Sequence, residues 1–187
     1  MQSISKLLAV SAAVSLATIA GASAQMAANP TVGGAPMLVE RNIIENAVNS
    51  PVHTTLVAAV QAAGLVETLS GAGPFTVFAP TNDAFAGLPA GTVDTLLEPA
   101  NADQLTKVLT AHVVSGDLSG GQILGRVQAG GGRYEMTTVS GDTITAVPSG
   151  QGVAIMDESG GTSVITTADV NQSNGVIHVV NAVLVPQ

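Results

Sequence analysis

The chain has no cysteine and no tryptophan, and three phenylalanines and one tyrosine are its only aromatic residues. Without cysteine there is no disulfide and no lipobox for lipoprotein anchoring, so buried apolar surface has to hold the fold together. Phe75, Phe78, Phe85 and Tyr134 are too few to build stacking platforms for sugars or for single-stranded nucleic acid. Basic residues are scarce as well: Lys and Arg number 5 against 13 Asp and Glu, a formal net charge of −8. Beyond the first two dozen positions only Arg41, Lys107, Arg126 and Arg133 remain, and phosphate binding depends on such residues. Nucleic acid is therefore excluded as a partner. Motifs that carry chemistry are missing too: there is no nucleophile elbow, no metalloprotease helix and no P-loop. The Gly130-Gly131-Gly132 run has no lysine at P-loop spacing after it. Asp94 and Glu98 stand one helical turn apart, but Pro99 follows at once, and they read as a solvated acidic edge. His53, His112 and His178 show no compact metal-ligand spacing. These absences leave a non-enzymatic protein with no cofactor or metal to assign.

What is present begins with an address. Lys6 precedes an apolar run from Leu7 to Ile19, and Ala22-Ser23-Ala24 has the small residues of a signal-peptidase site. The run is shorter than the roughly 20 apolar residues a membrane helix needs. Residues 1–24 are thus expected to be a signal peptide. The mature protein would then be secreted, periplasmic or at the cell surface, and not integral to a membrane. Residues 25–36, rich in Ala, Gly and Pro, read as a flexible leader. Residues 37–187 are long enough for one domain with its own core.

Within that domain the periodicity changes along the chain. From Met37 apolar residues recur at helical spacing through Leu38, Val39, Ile43, Ile44, Ala47 and Val48. Ser50-Pro51 reads as a cap and first-turn proline for a second helix ending near Gly64. Phe75–Phe78 reads as a short strand, Thr81 as the cap of a helical turn, and Asn101 with Gln104 as a capping box. Beyond His112 short β-prone runs alternate with glycine. Strands are expected around 112–114, 134–139, 143–147, 153–156, 163–166 and 176–184. Helices followed by mostly antiparallel strands predict an α+β fold, with N-terminal helices packed on an antiparallel β-sandwich or wedge.

Four segments resemble the signature blocks of the fasciclin-I-type (beta-Ig-H3/fasciclin) domain. They are Thr76 to Phe85; Val108-Leu109-Thr110-Ala111-His112-Val113-Val114-Ser115-Gly116; Ala168-Asp169-Val170; and Asn174 to Pro186. The resemblance implies a fasciclin-like fold over nearly the whole mature chain. It also implies an adhesion or interaction module that binds a cell-surface, envelope or matrix partner, protein or polymer. Some members of the family carry carotenoids or related lipids. The alternative it implies is an extracytoplasmic carrier of such an apolar small molecule. In animal members the Tyr-His region and the Asp-Ile pair are linked with integrin adhesion. Here Ala111 stands in place of the tyrosine, Asp169-Val170 in place of Asp-Ile, and Asn181 in place of an acid.

The resemblance makes Asp169, Val170, His112 and Ala111 the candidate partner-binding residues. Asp169-Val170 lies in a polar stretch that reads as an exposed loop, where binding residues concentrate; the bland alternative is a turn-forming Asp. His112 either pins a helix to a strand or faces a partner, and the small Ala111 beside it could open a groove between helix and sheet. In the last strand Val176, His178 and Val180 share one face, and Ile177, Val179 and Asn181 the other. Both faces are apolar, which predicts a central strand buried on two sides. His178 and Asn181 must then find hydrogen-bond partners, His178 as a structural residue.

Overall fold

A computed structural model of the protein describes residues 29–150 and 152–186; the expected signal peptide and residues 25–28 lie outside that range. The helical periodicity after Met37 becomes six short helices: α1 (Ile43–Asn49), α2 (Thr54–Ala62), α3 (Val66–Ser70), α4 (Asn82–Ala86), α5 (Thr92–Leu97) and α6 (Ala102–Thr110). A seventh, α7 (Gly120–Ala129), interrupts the β-rich half. The strands are β1 (Thr31–Val32), β2 (Ala35–Pro36), β3 (Phe75–Pro80), β4 (Val113–Ser115), β5 (Tyr134–Thr137), β6 (Thr143–Ser149), β7 (Gly152–Met156), β8 (Thr162–Gln172) and β9 (Gly175–Val180).

Seven of these strands form one sheet in the order β4-β3-β9-β8-β7-β6-β5. The pairings are antiparallel except β3 with β9, which run parallel from Phe75↔Gly175 to Pro80↔Val180. The sheet curls until its two ends meet. Val114 bridges Thr138 just beyond β5, and Val139 N donates to Val113 O at 2.8 Å. The architecture is the expected α+β wedge, with the last strand inside the sheet between β3 and β8.

Strand alternation sorts the core into two clusters. Val77 and Ala79 of β3, with Ile177 and Val179 of β9, face α1 to α6 and pack with Ile43, Leu56, Val60, Leu105 and Leu109. Phe78 and Val180 point the other way, towards Ile123 and Val127 of α7, Ile144 and Ile155. The period-2 reading of β9 therefore holds from Val176 to Val180. It ends there: Asn181 leaves the strand, is exposed, and its Oδ1 accepts from Val164 N at 2.8 Å.

Several helix ends are fastened from a distance. Asn42 and Glu45 form a reciprocal capping box on α1. Thr81 caps α4 through Ala84 N, as its position predicts. By contrast, α2 starts at Thr54 with no cap from its own N-cap residue. Asn82 supplies the cap: its Oδ1 accepts from Thr55 N and Thr54 Oγ1, and its Nδ2 donates to Pro51 O. Asn101 does not cap α6; its amide donates back to Thr95 O instead. Asn174, between β8 and β9, accepts from Ile43 N and donates to Leu69 O and Gly71 O. One side chain thus ties α1, α3 and the last hairpin together.

Two elements differ from the sequence reading. Residues 31–36 are not a loose leader but a hairpin turning through Gly33-Gly34 at positive φ. Val32 and Met37 are buried against the helical cluster. Helix α7 falls in a stretch between two expected strands to which no element was assigned, because Gly120, Gly121 and Gly125 depress helix propensity. Ser119 and Gln122 form a capping box there, and Ile123 and Val127, one turn apart, are fully buried. A glycine costs a helix about 0.5–1 kcal/mol. Burying one Ile or Val contributes about 1.5–3 kcal/mol, so packing wins.

Candidate functional site

Of the four candidate residues Asp169 is exposed, and Val170, His112 and Ala111 are buried. Asp169 does not lie in a loop; it sits inside β8, where the register with β9 slips twice, between Ile165 and Thr167 and between Thr167 and Val170. Such bulges re-aim side chains. At the second one Asp169 adopts φ 59°, the only non-glycine residue among those described with a left-handed backbone. Its side chain is exposed, whereas Val170 points inward and is fully buried. The expectation that both residues are presented to solvent is corrected to Asp169 alone.

Three contacts hold this conformation. Asp169 N donates to His178 Nδ1 at 3.3 Å. The opposite nitrogen, His178 Nε2, donates to Leu118 O at 2.8 Å. Asp169 Oδ1 then accepts from Gly120 N, the first residue of α7, at 2.6 Å. The ring of His178 stacks on Phe78 with centroids 5.6 Å apart. Burial lowers the His178 pKa, more than the Leu118 carbonyl and the carboxylates of Asp169 and Asp117 raise it. The neutral ring, accepting at Nδ1 and donating at Nε2, fits both neighbours. His178 is structural, as predicted, and it also positions Asp169. The sequence contained a signal for this link: Ser119-x-x-Gln122 marks the start of a helix immediately after Leu118.

Around Asp169 the surface forms a cleft of about 250 Å³ lined by Gly120, Gly121 and Leu124 of α7, Val153 of β7, and Ile165 and Ala168 of β8, among others. β7 and β8 pair only from Ala154↔Val164 to Met156↔Thr162, so the strands part at this point. A second cleft, about 360 Å³, lies beside Gly73-Pro74, Asp117 and Gln172 to Gly175.

His112 and Ala111 are placed differently. Both are 2% exposed, so neither side chain faces a partner in this conformation, and the partner-facing expectation is corrected to the pinning one. Nδ1 of His112 donates to Val108 O at 2.7 Å, and Nε2 accepts from Leu184 N at 2.9 Å. The ring joins the end of α6 to the segment after β9. Burial lowers its pKa to about 4, against smaller raising effects from the Val108 carbonyl and Asp157. That C-terminal segment has further clamps: Ser163 Oγ donates to Ala182 O and accepts from Ala182 N, and Asp157 Oδ2 accepts from Val185 N. His53 is buried too, with Nδ1 2.8 Å from Ser50 Oγ; among the described residues no group meets Nε2 with hydrogen-bond geometry, although the Ala79 backbone partly offsets the lowering of its pKa by burial. The three imidazoles do not converge; among the described residues no group of three or more His, Asp or Glu is arranged to hold a metal ion.

Ala111 opens no groove. The cavity between α1, α2, α6 and β3, lined by Ile43, Leu56, Val60, Phe78, Leu109 and His112 among others, measures about 30 Å³. A neighbouring one beside His53 measures about 20 Å³. These hold a water or two, whereas ligand pockets run to about 300–1,000 Å³.

Comparison with known proteins agrees with this geometry. The family model described as "Fasciclin domain" matches residues 51–186. Protein sll1483 of Synechocystis is 48% identical over 144 residues, 77% of this chain and 73% of the relative. Immunogenic protein MPB70 of Mycobacterium bovis is 33% identical over 172 residues, 89% of this chain and 80% of the relative. Transforming growth factor-beta-induced protein ig-h3 of Sus scrofa is 38% identical over 131 residues, 70% of this chain but only 17% of that longer protein. Among solved structures, a FAS1 domain pair from the insect cell adhesion molecule fasciclin I superposes with a TM-score of 0.68 at 16% identity. It covers 81% of this chain and 52% of the other, and shows the shared fold. The chain belongs to the fasciclin domain family.

Proposed function

We propose that this protein is an exported, non-enzymatic adhesion module that holds a surface, envelope or matrix partner outside the cytoplasm. One observation carries the reading beyond family membership: the left-handed Asp169 at the mouth of an exposed cleft, its backbone N–H held by His178 and its carboxylate by Gly120 N. Backbone strain of this kind costs about 1–3 kcal/mol and persists where the surroundings over-determine it, often at functional sites. Among the described residues no helix is long and apolar enough to cross a membrane, which suits a domain displayed at a surface. His112 and His178 have both ring nitrogens bound to backbone groups, and this leaves neither free as a catalytic base.

Carriage of a carotenoid or lipid is the alternative, and it would require α1 and α2 to part from the sheet, because the cavities between them are too small. Deleting the gene should weaken attachment or aggregation of the host cells, and purified protein added from outside should restore it. Unchanged attachment on several surfaces would defeat the adhesion reading. Solvent extraction of the protein from its own host, followed by mass spectrometry, tests the carrier reading in the same material.

A further inference from the structure

We propose that the cleft at the start of α7 is a socket for a lysine side chain of the partner protein, with Asp169 as its charged end. The inference rests on the adhesion reading and names the chemistry of the partner at that site. Two adjacent glycines shape the cleft for different reasons. A Cβ on Gly120 would come within 3.1 Å of Ala168 Cβ and 3.4 Å of Asp169 Oδ2, so glycine there lets the carboxylate close on the helix. A Cβ on Gly121 would meet nothing within 4 Å; that glycine leaves the floor open. Leu124, Val153, Ile165 and Ala168 provide apolar walls, the surface along which a lysine stem buries its methylenes while its charge stays at the end.

The charge pattern selects the occupant. Among the described residues no cationic side chain lines the cleft, and the chain carries a net charge of −8, a field that steers basic partners towards it. Asp169 Oδ1 already accepts from Gly120 N, while Oδ2 has no hydrogen bond among the described residues. A carboxylate with one engaged oxygen is poorly matched to the two-pronged fork of arginine and well matched to a point-charge ammonium. The socket therefore fits lysine before arginine.

The test uses the whole protein, labelled with nitrogen-15, titrated with the peptide acetyl-Gly-Lys-Gly-amide and with its norleucine and arginine counterparts. Lysine should shift the amide signals of residues 120–124 and 166–169, norleucine should leave them unmoved, and arginine should bind more weakly. Gly121→Leu should fill the cleft without disturbing the fold, since its position is open, and should weaken lysine binding at least tenfold. Asp169→Asn should do the same while keeping a side chain that tolerates left-handed backbone. Equal response to norleucine, tighter binding of arginine, or unchanged binding in both variants overturns the socket. Those results leave the gene-deletion attachment assay untouched, so the two ideas fail separately.

Discussion

At the residue scale the histidines set the protein's response to acid. All three have pKa values lowered chiefly by burial, His112 to about 4, whereas an unfolded histidine titrates near 6.5. Between those values the unfolded chain binds more protons than the native one, so stability falls as pH falls from about 6.5 to about 4. For His112 alone the loss is on the order of 3 kcal/mol; His53 and His178 act in the same direction. Protonation would also turn Nε2 of His112 into a donor facing the Leu184 N–H. Urea denaturation at pH 7, 5.5 and 4.5 should show this decline, and His112→Gln should flatten it. The variant should also cost about 1–3 kcal/mol at pH 7 from buried groups left unpaired. An unchanged pH slope in that variant would refute the assignment.

At the element scale α7 contains room for improvement. Gly125 lies exposed in its middle, and an added Cβ would meet nothing within 4 Å. Gly125→Ala should raise stability by about 0.5–1 kcal/mol, measured as a shift in the urea midpoint at constant slope. This helix also shows where sequence reading stopped. The period-2 pattern of Val176 to Val180 was legible because both faces are apolar, and so was the Thr81 cap. α7 was hidden because glycine content speaks locally, while Ile123 and Val127 are rewarded only by a sheet assembled from distant residues. The same limit applies to the site. Asp169 was legible as a candidate, but its neighbour Val170 was misplaced, since a pair of bulges reverses which of two adjacent side chains faces solvent. His178 could be read as buried; that its ring also holds the Asp169 backbone depends on a contact across the β8–β9 ladder.

For the molecule as a whole, acidic residues outnumber basic ones, 13 to 5. Among the described residues the one ion pair within 4.0 Å is Lys107 with Asp142 at 3.8 Å, partly exposed, and such a pair contributes about 0–1 kcal/mol. The dominant long-range effect is self-repulsion of a net −8. Sodium chloride raised from 10 to 200 mM should therefore increase the melting temperature at pH 7, because screening relieves repulsion over a Debye length that shrinks from about 30 Å to under 10 Å. A lower melting temperature in salt would mean that attractive pairs dominate instead.

The position of β9 also sets the timing of folding. The last strand lies between β3 and β8, and its parallel partner β3 comes some hundred residues earlier in the chain. Closing so long a loop costs chain entropy before any contact repays it, and topologies of this kind fold slowly. Until residues 175–180 are present, β3 has only the short β4 beside it and Asn174 has not yet tied α1 to α3. A growing chain would thus stay open until residues 175–180 are made, and close as a unit once they arrive. On the proposed reading of an exported module, that delay would keep the chain threadable, with β9 as the latch that closes it on the far side.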